Sequence, residues 1–227
     1  MKAVETADLA AMSTTQIRAI SSANVAAMST LQVNKMTTDQ VAALSNSQMQ
    51  ALTTAQVTGM ASAQVKALTT AQVAGLTSAQ AKAIETVDLV EMTTDQIKAL
   101  SAANVAALST NQVANMTTTQ IAALTGSQVK ALTTAQVAGM SGSQISHMTT
   151  DQVAALSVSQ VKALETGDLA AMGTDQVAAL ATANVAALST AQITNMTTDQ
   201  VASLTAGQVR AMSKAQVAAM TSDQVSH

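Results

Sequence analysis

Leu68-Thr69-Thr70-Ala71-Gln72-Val73-Ala74-Gly75 is one copy of an eight-residue unit that fills the chain. The unit reads leucine, two serine or threonine residues, a variable residue, glutamine, valine or isoleucine, a variable residue, and alanine or glycine. Its leucine position returns every eight residues from Met12 to Met220 as leucine, methionine or isoleucine, without an insertion. A short period of constant length is typical of an array in which each unit contacts only its near neighbours.

The octad predicts a short α-helix. Thr69 and Gln72 have the spacing of a capping box, in which the hydroxyl accepts from the third helical amide and the glutamine side chain reaches back to the cap amide. Val73 and Leu76 are three residues apart, so they share one face of about two helical turns. The next cap follows directly after Leu76, so the chain must turn there. The predicted fold is therefore all-α, an elongated α-solenoid of very short helices.

Two other folds agree less well with the octad. In one continuous helix the apolar positions would drift by about 80° per octad, which leaves no stable apolar face. A β-solenoid is the alternative fold, because threonine and valine favour strands. Val73 and Leu76, however, would point to opposite sides of a strand.

The cations define a second period, of sixteen residues. Most of them occupy the position after the valine in alternate octads: Lys2, Arg18, Lys66, Lys82, Lys98, Lys130, Lys162 and Arg210. The intervening octads mostly carry alanine at this position, as at Ala74. This alternation predicts that octads pair into sixteen-residue helical hairpins with one exposed edge. The candidate interaction residues on that edge are Lys66, Lys82, Lys98, Lys130 and Lys162.

Three octads, eighty residues apart, depart from the capping box. They carry the pairs Glu5 and Asp8, Glu85 and Asp88, and Glu165 and Asp168. Acidic residues at a helix start complement the helix dipole, and two carboxylates are too few to hold a hard cation. His147 and His227 have no partner cluster, and the methionines at the leucine position are core filler. No metal site is therefore predicted.

The composition excludes several classes of protein. Cysteine, proline and aromatic residues are absent, so the core is aliphatic and has no disulfide. A net charge of −3 offers no general attraction for nucleic acid, and the apolar runs are too short for membrane insertion. No nucleophile with a base, phosphate-binding glycine loop or cofactor motif is present, so we expect neither catalytic residues nor a cofactor.

The repeat phase runs through the whole chain and predicts a single continuous array over residues 1–227, with no linker. Residues 1–9 are already in this phase and show no apolar segment of the signal-peptide type. We expect the array to be a fragment of a longer protein.

The hexad Leu132-Thr133-Thr134-Ala135-Gln136-Val137 resembles the octapeptide (Leu-Ser/Thr-x-x-Gln-Val) repeat arrays of large bacterial secreted and surface proteins, described as adhesin-like or haem-utilisation-like. The resemblance implies a structural scaffold, spacer or protein-interaction module at the cell surface or outside the cell. The alternative function is a ligand-binding array for glycan or ice that uses the regularly spaced threonine hydroxyls. The expected partners are protein or surface glycan, and self-association through the array ends is a further expectation.

Overall fold

The computed structural model describes residues 4–226, so Met1, Lys2, Ala3 and His227 lie outside the described residues. Over that range the chain forms 28 short α-helices and no strand, which confirms the predicted solenoid of short helices and excludes the β-solenoid. The helices are grouped into two compact units, one ending at Asn115 and the other beginning at Met116.

The first unit holds fourteen helices: α1 (Thr6–Ala11), α2 (Thr14–Ala19), α3 (Ser22–Ala26), α4 (Thr30–Asn34), α5 (Thr38–Ala43), α6 (Asn46–Ala51), α7 (Thr54–Thr58), α8 (Ser62–Lys66), α9 (Thr70–Ala74), α10 (Ser78–Ala83), α11 (Thr86–Leu89), α12 (Thr94–Ala99), α13 (Ala102–Ala107) and α14 (Thr110–Ala114). The second unit also holds fourteen: α15 (Thr118–Ala123), α16 (Gly126–Ala131), α17 (Thr134–Ala138), α18 (Gly142–Ser146), α19 (Thr150–Ala155), α20 (Val158–Ala163), α21 (Thr166–Ala170), α22 (Thr174–Ala179), α23 (Thr182–Ala186), α24 (Thr190–Thr194), α25 (Thr198–Ala202), α26 (Ala206–Ala211), α27 (Lys214–Ala218) and α28 (Ser222–Val225).

Each helix begins and ends where the octad predicts. Thr69 caps α9 with its side chain, which accepts a hydrogen bond from Gln72 N at 3.2 Å. At the end of α15, Leu124 and then Thr125 are extended, with ψ angles of 138° and 157°. These two extended residues turn the chain into the next helix. No described residue has a positive φ angle, so the turns need no glycine.

The packing between helices corrects the predicted sixteen-residue hairpins. Within each unit, the helices that pack most extensively are three apart in the chain, as with α2 and α5 or α17 and α20, and consecutive helices are not paired in this way. Two extended residues between helices do not fold the chain back on itself, so successive helices diverge. The successive helices instead wind into a coil, and each helix packs most closely against the helix three positions further along the chain.

The core runs along the inside of each coil and consists of the two apolar positions of the octad. Val73 is 0 % exposed and Leu76 is 6 % exposed, and the equivalent residues of neighbouring octads are buried to a similar degree. Met49, Met92 and Met140 share these positions and are also buried, so methionine acts here as an aliphatic residue. The cationic position lies outside the core.

Candidate functional site

The most extensive polar structure in the protein is a ladder of buried glutamines. Gln72 is 2 % exposed, and its Oε1 accepts a hydrogen bond from the backbone of Thr69 at 2.8 Å. Its Nε2 donates to Val41 O and Leu44 O, both at 2.8 Å. Those carbonyls lie at the C-terminal end of α5, four helices before α9. Val41 O also accepts from Leu44 N at 3.1 Å, but the last carbonyls of a helix have no donor four residues on. One side chain therefore caps the start of its own helix and the end of another.

The same arrangement recurs in both units. The glutamines that donate to both equivalent carbonyls are Gln40, Gln48, Gln56, Gln64, Gln72, Gln80, Gln96, Gln152, Gln160, Gln176, Gln192, Gln200, Gln208, Gln216 and Gln224. Helix packing recurs after three octads and these bonds after four, so each coil has between three and four octads per turn. We call this set the glutamine ladder.

The capping box predicted only half of this role. It explains the bond from Gln72 Oε1 to the cap, but glutamate would serve that purpose as well. The donation by Nε2 requires an amide. The signal in the sequence is that this position never holds glutamate, although aspartate and asparagine both occur there.

Where asparagine replaces glutamine in the ladder, the shorter side chain makes one of the two long-range hydrogen bonds. Asn104 Nδ2 donates to Leu76 O at 3.0 Å, and Asn184 Nδ2 donates to Leu156 O at 2.9 Å. Each carbonyl belongs to the leucine position of the octad four helices earlier, 28 residues before. A side chain of this length thus still reaches one of the two carbonyls that a glutamine reaches.

Aspartate at the glutamine position cannot make the long-range bonds of the ladder, because an ionised carboxylate has no hydrogen to donate. Asp88 is 3 % exposed and accepts a hydrogen bond from the Ser62 hydroxyl. Asp168 is 8 % exposed, and the residue equivalent to Ser62 is Gly142, which has no hydroxyl. Burial raises the pKa of the Asp168 carboxyl, the charge of Glu165 raises it further, and a hydrogen bond from the Glu165 backbone lowers it.

The candidate lysines are all exposed, and the packing does not gather them. Lys66, Lys82 and Lys98 lie on α8, α10 and α12, which are two helices apart, whereas packed helices are three apart. Lys66 Nζ lies 3.3 Å from Glu91 Oε2, with both side chains more than half exposed, so this ion pair contributes little to stability.

Lys130 and Lys162 are exposed residues of α16 and α20. An interaction at any of the five lysines stays a prediction. Nothing in the packing explains the sixteen-residue alternation of cations with alanine.

A surface groove of 510 Å³ lies beside the second acidic octad. Its lining includes Thr58, Lys82, Glu85 and the exposed Val87. Thr58 Oγ1 is already engaged, since it donates to Ala83 O at 3.0 Å. The charged side chains of the groove are Lys82 and Glu85, and its apolar lining residues are Ala83, Ile84 and Val87.

The remaining candidates do not assemble into a centre. His147 is exposed, and its Nδ1 lies 2.7 Å from Ser143 O in the preceding turn. Across residues 4–226, no three histidine, cysteine or acidic residues are grouped closely enough to hold a metal ion. Within the same range, no helix has the length and apolarity needed to cross a membrane.

Comparison with known proteins identifies one family. The ALTTAQ repeat matches residues 1–38, 25–54, 81–118, 105–134, 113–142, 121–158, 161–198, 170–206 and 196–227. These segments together cover most of the chain. A search of curated proteins finds no significant match.

Proposed function

Because the chain belongs to the ALTTAQ repeat family, we propose that it is a non-enzymatic structural scaffold that acts as a spacer or carries protein-interaction surfaces. The glutamine ladder is the observation that supports this proposal most strongly. The polar groups that recur in most octads are the cap hydroxyl and the glutamine amide, and both are engaged inside the fold, as at Thr69 and Gln72. They stabilise the array and are not presented to a substrate.

The resemblance of the octad to arrays of bacterial surface and secreted proteins supports a role outside the cell. A spacer in such a protein holds other parts of the polypeptide at a distance. Its length depends on the number of octads, and its function tolerates changes at exposed positions. The variety of residues on the surface agrees with this, since Leu31 and Val87 at the variable position and Val158 at the second serine or threonine position are all exposed apolar residues.

The alternative is a glycan- or ice-binding array built on the second threonine of each octad. These threonines are exposed, as at Thr54, Thr70, Thr134 and Thr150. With between three and four octads per turn, however, threonines of consecutive octads lie on different sides of the coil. The threonines of consecutive octads therefore do not form one row, which supports the spacer over the ligand-binding array.

Two measurements test the proposal together. Deletion of residues 85–164, which spans one eighty-residue block, should leave a folded, helical chain whose radius of gyration in small-angle scattering is smaller. The full chain should give no signal on a glycan array and no thermal hysteresis in ice. Glycan binding or thermal hysteresis that disappears when Thr54, Thr70, Thr134 and Thr150 are all changed to valine would establish the ligand-binding function instead.

A further inference from the structure

The two acidic octads in the interior of the array lack both recurring polar contacts of the octad. Their cap residues, Glu85 before α11 and Glu165 before α21, make no side-chain hydrogen bond to the helix start. Asp88 and Asp168 occupy the glutamine position, and an ionised aspartate has no hydrogen to donate. Neither octad therefore has the hydroxyl cap or the long-range amide bonds of an ordinary octad.

The carbonyls that a glutamine would engage belong to buried residues. They are those of Met60 and Met140, which lie 28 residues before Asp88 and Asp168, the separation that the ladder bonds span elsewhere. Asn104 shows that a side chain of this length makes the bond when it carries an amide. An aspartate thus leaves the carbonyl of a buried residue without the amide that other octads supply, which weakens the docking of the helix.

Other residues of the acidic octads also disfavour the docked helix. Val87 is 64 % exposed, and Gly167 has no neighbouring atom within 4 Å of where a Cβ would lie, so packing requires neither residue. Valine and glycine both have lower helix propensity than alanine. Burial raises the pKa of the Asp168 carboxyl. Its charge therefore costs stability in the folded state, and opening relieves that cost.

We propose that α11 and α21 are opening points, at which the array opens locally while the ordinary octads on either side stay docked. The acidic octads are eighty residues apart, so these points recur at a regular interval. Their use rests on the proposed spacer function. An octad that leaves the coil spans up to about 28 Å when extended, so opening lengthens a spacer that is under tension.

Hydrogen exchange of matched backbone amides tests this inference. Leu89 N donates to Glu85 O in α11, and Ile97 N donates to Thr93 O in α12, both at 2.9 Å. Leu89 and Ile97 are both 0 % exposed. Because static burial and bonding are equal, a difference in protection factor reports local opening. The protection factor of the Leu89 amide should be lower by about tenfold or more, since the bonds of the cap and the ladder are missing.

Leu169 in α21 and Val161 in α20 form a second matched pair. Both are 0 % exposed, and each amide donates to the carbonyl of its own cap residue. The Leu169 amide should also be protected about tenfold less than its partner in the pair. All four helices lie in the interior of the array, so fraying of terminal octads does not contribute to either comparison.

Restoring the ordinary octad should close an opening point. Glu85→Thr with Asp88→Gln returns the cap hydroxyl and the long-range amide, and it should raise the protection of Leu89 to that of Ile97. Glu91→Gln is the matched control, because it removes an exposed carboxylate of the same octad and leaves the cap and glutamine positions unchanged. The control should leave the protection of Leu89 as it is in the unmodified chain. Circular dichroism verifies that each variant is folded.

Equal protection within either matched pair of the unmodified chain would overturn the inference. A restored octad whose Leu89 amide stays poorly protected would overturn it too, because the cause of opening would then lie outside the cap and the ladder. So would a control that raises the protection as much as the restored octad does. Hydrogen exchange measures opening whatever the role of the chain, so these outcomes are independent of the deletion and binding measurements that test the spacer function.

Discussion

Gln152 Nε2 donates a hydrogen bond of 2.6 Å to Leu124 O, which lies 28 residues earlier at the end of another helix. The same amide also donates to Ile121 O at 2.8 Å, while Gln152 Oε1 accepts from Thr149 N at 2.8 Å. A local capping motif is thus also the main polar contact between successive turns of the coil.

Replacing Gln152 with glutamate should lower the free energy of unfolding by about 3 kcal/mol, because the buried donor is lost and a carboxylate then faces two carbonyls. Gln50→Glu is the matched control. Gln50 Nε2 also donates to a carbonyl, Gly75 O at 2.9 Å, but it does so at the exposed surface. The control should change stability by less than about 0.5 kcal/mol. Urea denaturation of both variants gives the comparison, and similar losses would contradict a structural role for the ladder.

Replacing Asp168 with asparagine should stabilise the protein by about 1 kcal/mol near neutral pH, because Nδ2 can donate to Met140 O as Asn184 does to Leu156 O. The folded-state pKa of Asp168 is raised, so its ionisation costs stability. In the unmodified chain this cost grows as the pH rises from the usual range of an aspartate through the raised pKa, and it is constant above that.

The stabilisation by Asp168→Asn should therefore increase between about pH 4 and pH 7. Asp8 occupies the same position of the first acidic octad and is exposed. Asp8→Asn should have no measurable effect at either pH. Thermal melting at the two pH values measures both variants. A stabilisation by Asp168→Asn that shrinks as the pH rises would contradict the predicted pH dependence.

Leu124→Ala should cost about 2–5 kcal/mol, the usual range for truncating a large core side chain. Leu124 is 4 % exposed. Met220 holds the equivalent position in the terminal octads and is only partly buried, so Met220→Ala should cost much less. Thermal denaturation of the two variants tests whether stability depends on position in the array. Equal losses of stability in the two variants would contradict a dependence on position in the array.

Two glycines with nearly identical backbone angles should respond in opposite ways to alanine. Gly59 and Gly75 both end a helix with φ at −83°. At Gly59 a new Cβ would overlap Thr30 Cγ2, whereas at Gly75 it meets no atom closer than 3.4 Å. Gly75→Ala should add about 0.4–1 kcal/mol by restricting the unfolded chain, and Gly59→Ala should cost about 1–3 kcal/mol through overpacking.

Chemical denaturation gives both values. Adding Thr30→Ser to Gly59→Ala removes the overlapping methyl group and should recover most of the loss. A Gly59→Ala variant as stable as Gly75→Ala would mean that the Thr30 side chain rotates away without cost.

The sequence predicts the local structure of this protein well, because the octad carries local information. The caps at Thr69 and Gln72 and the burial of Val73 and Leu76 depend on residues a few positions apart, and all of them are confirmed. The partner of each helix depends on how much the chain rotates at each turn. The backbone angles of the two extended residues between helices set that rotation, and the residue types at those two positions do not indicate its size.

The prediction of hairpins is wrong for this reason. The alternation of lysine with alanine predicts two kinds of helix environment. Ala74 is exposed like Lys66, whereas the equivalent Ala106 and Ala138 are half-buried, so the alternation matches no regular difference in burial. The hydrogen bonds from the glutamine amides to carbonyls of earlier helices are not predicted, because the capping box alone is enough to explain a glutamine at this position. Only the choice of amide over carboxylate at that position indicates a second partner.

The ladder also affects how this protein can fold. Its bonds join residues 28–31 positions apart, as in Gln72 with Val41 and Leu44, and this separation is the same in both units. Loop-closure entropy depends on the number of residues enclosed. The entropic cost of each docking step is therefore the same for a short array and a long one. During synthesis, the C-terminal carbonyls of a helix can receive their glutamine once about 30 further residues have left the ribosome. Duplication of octads in the gene can lengthen the protein without slowing its folding.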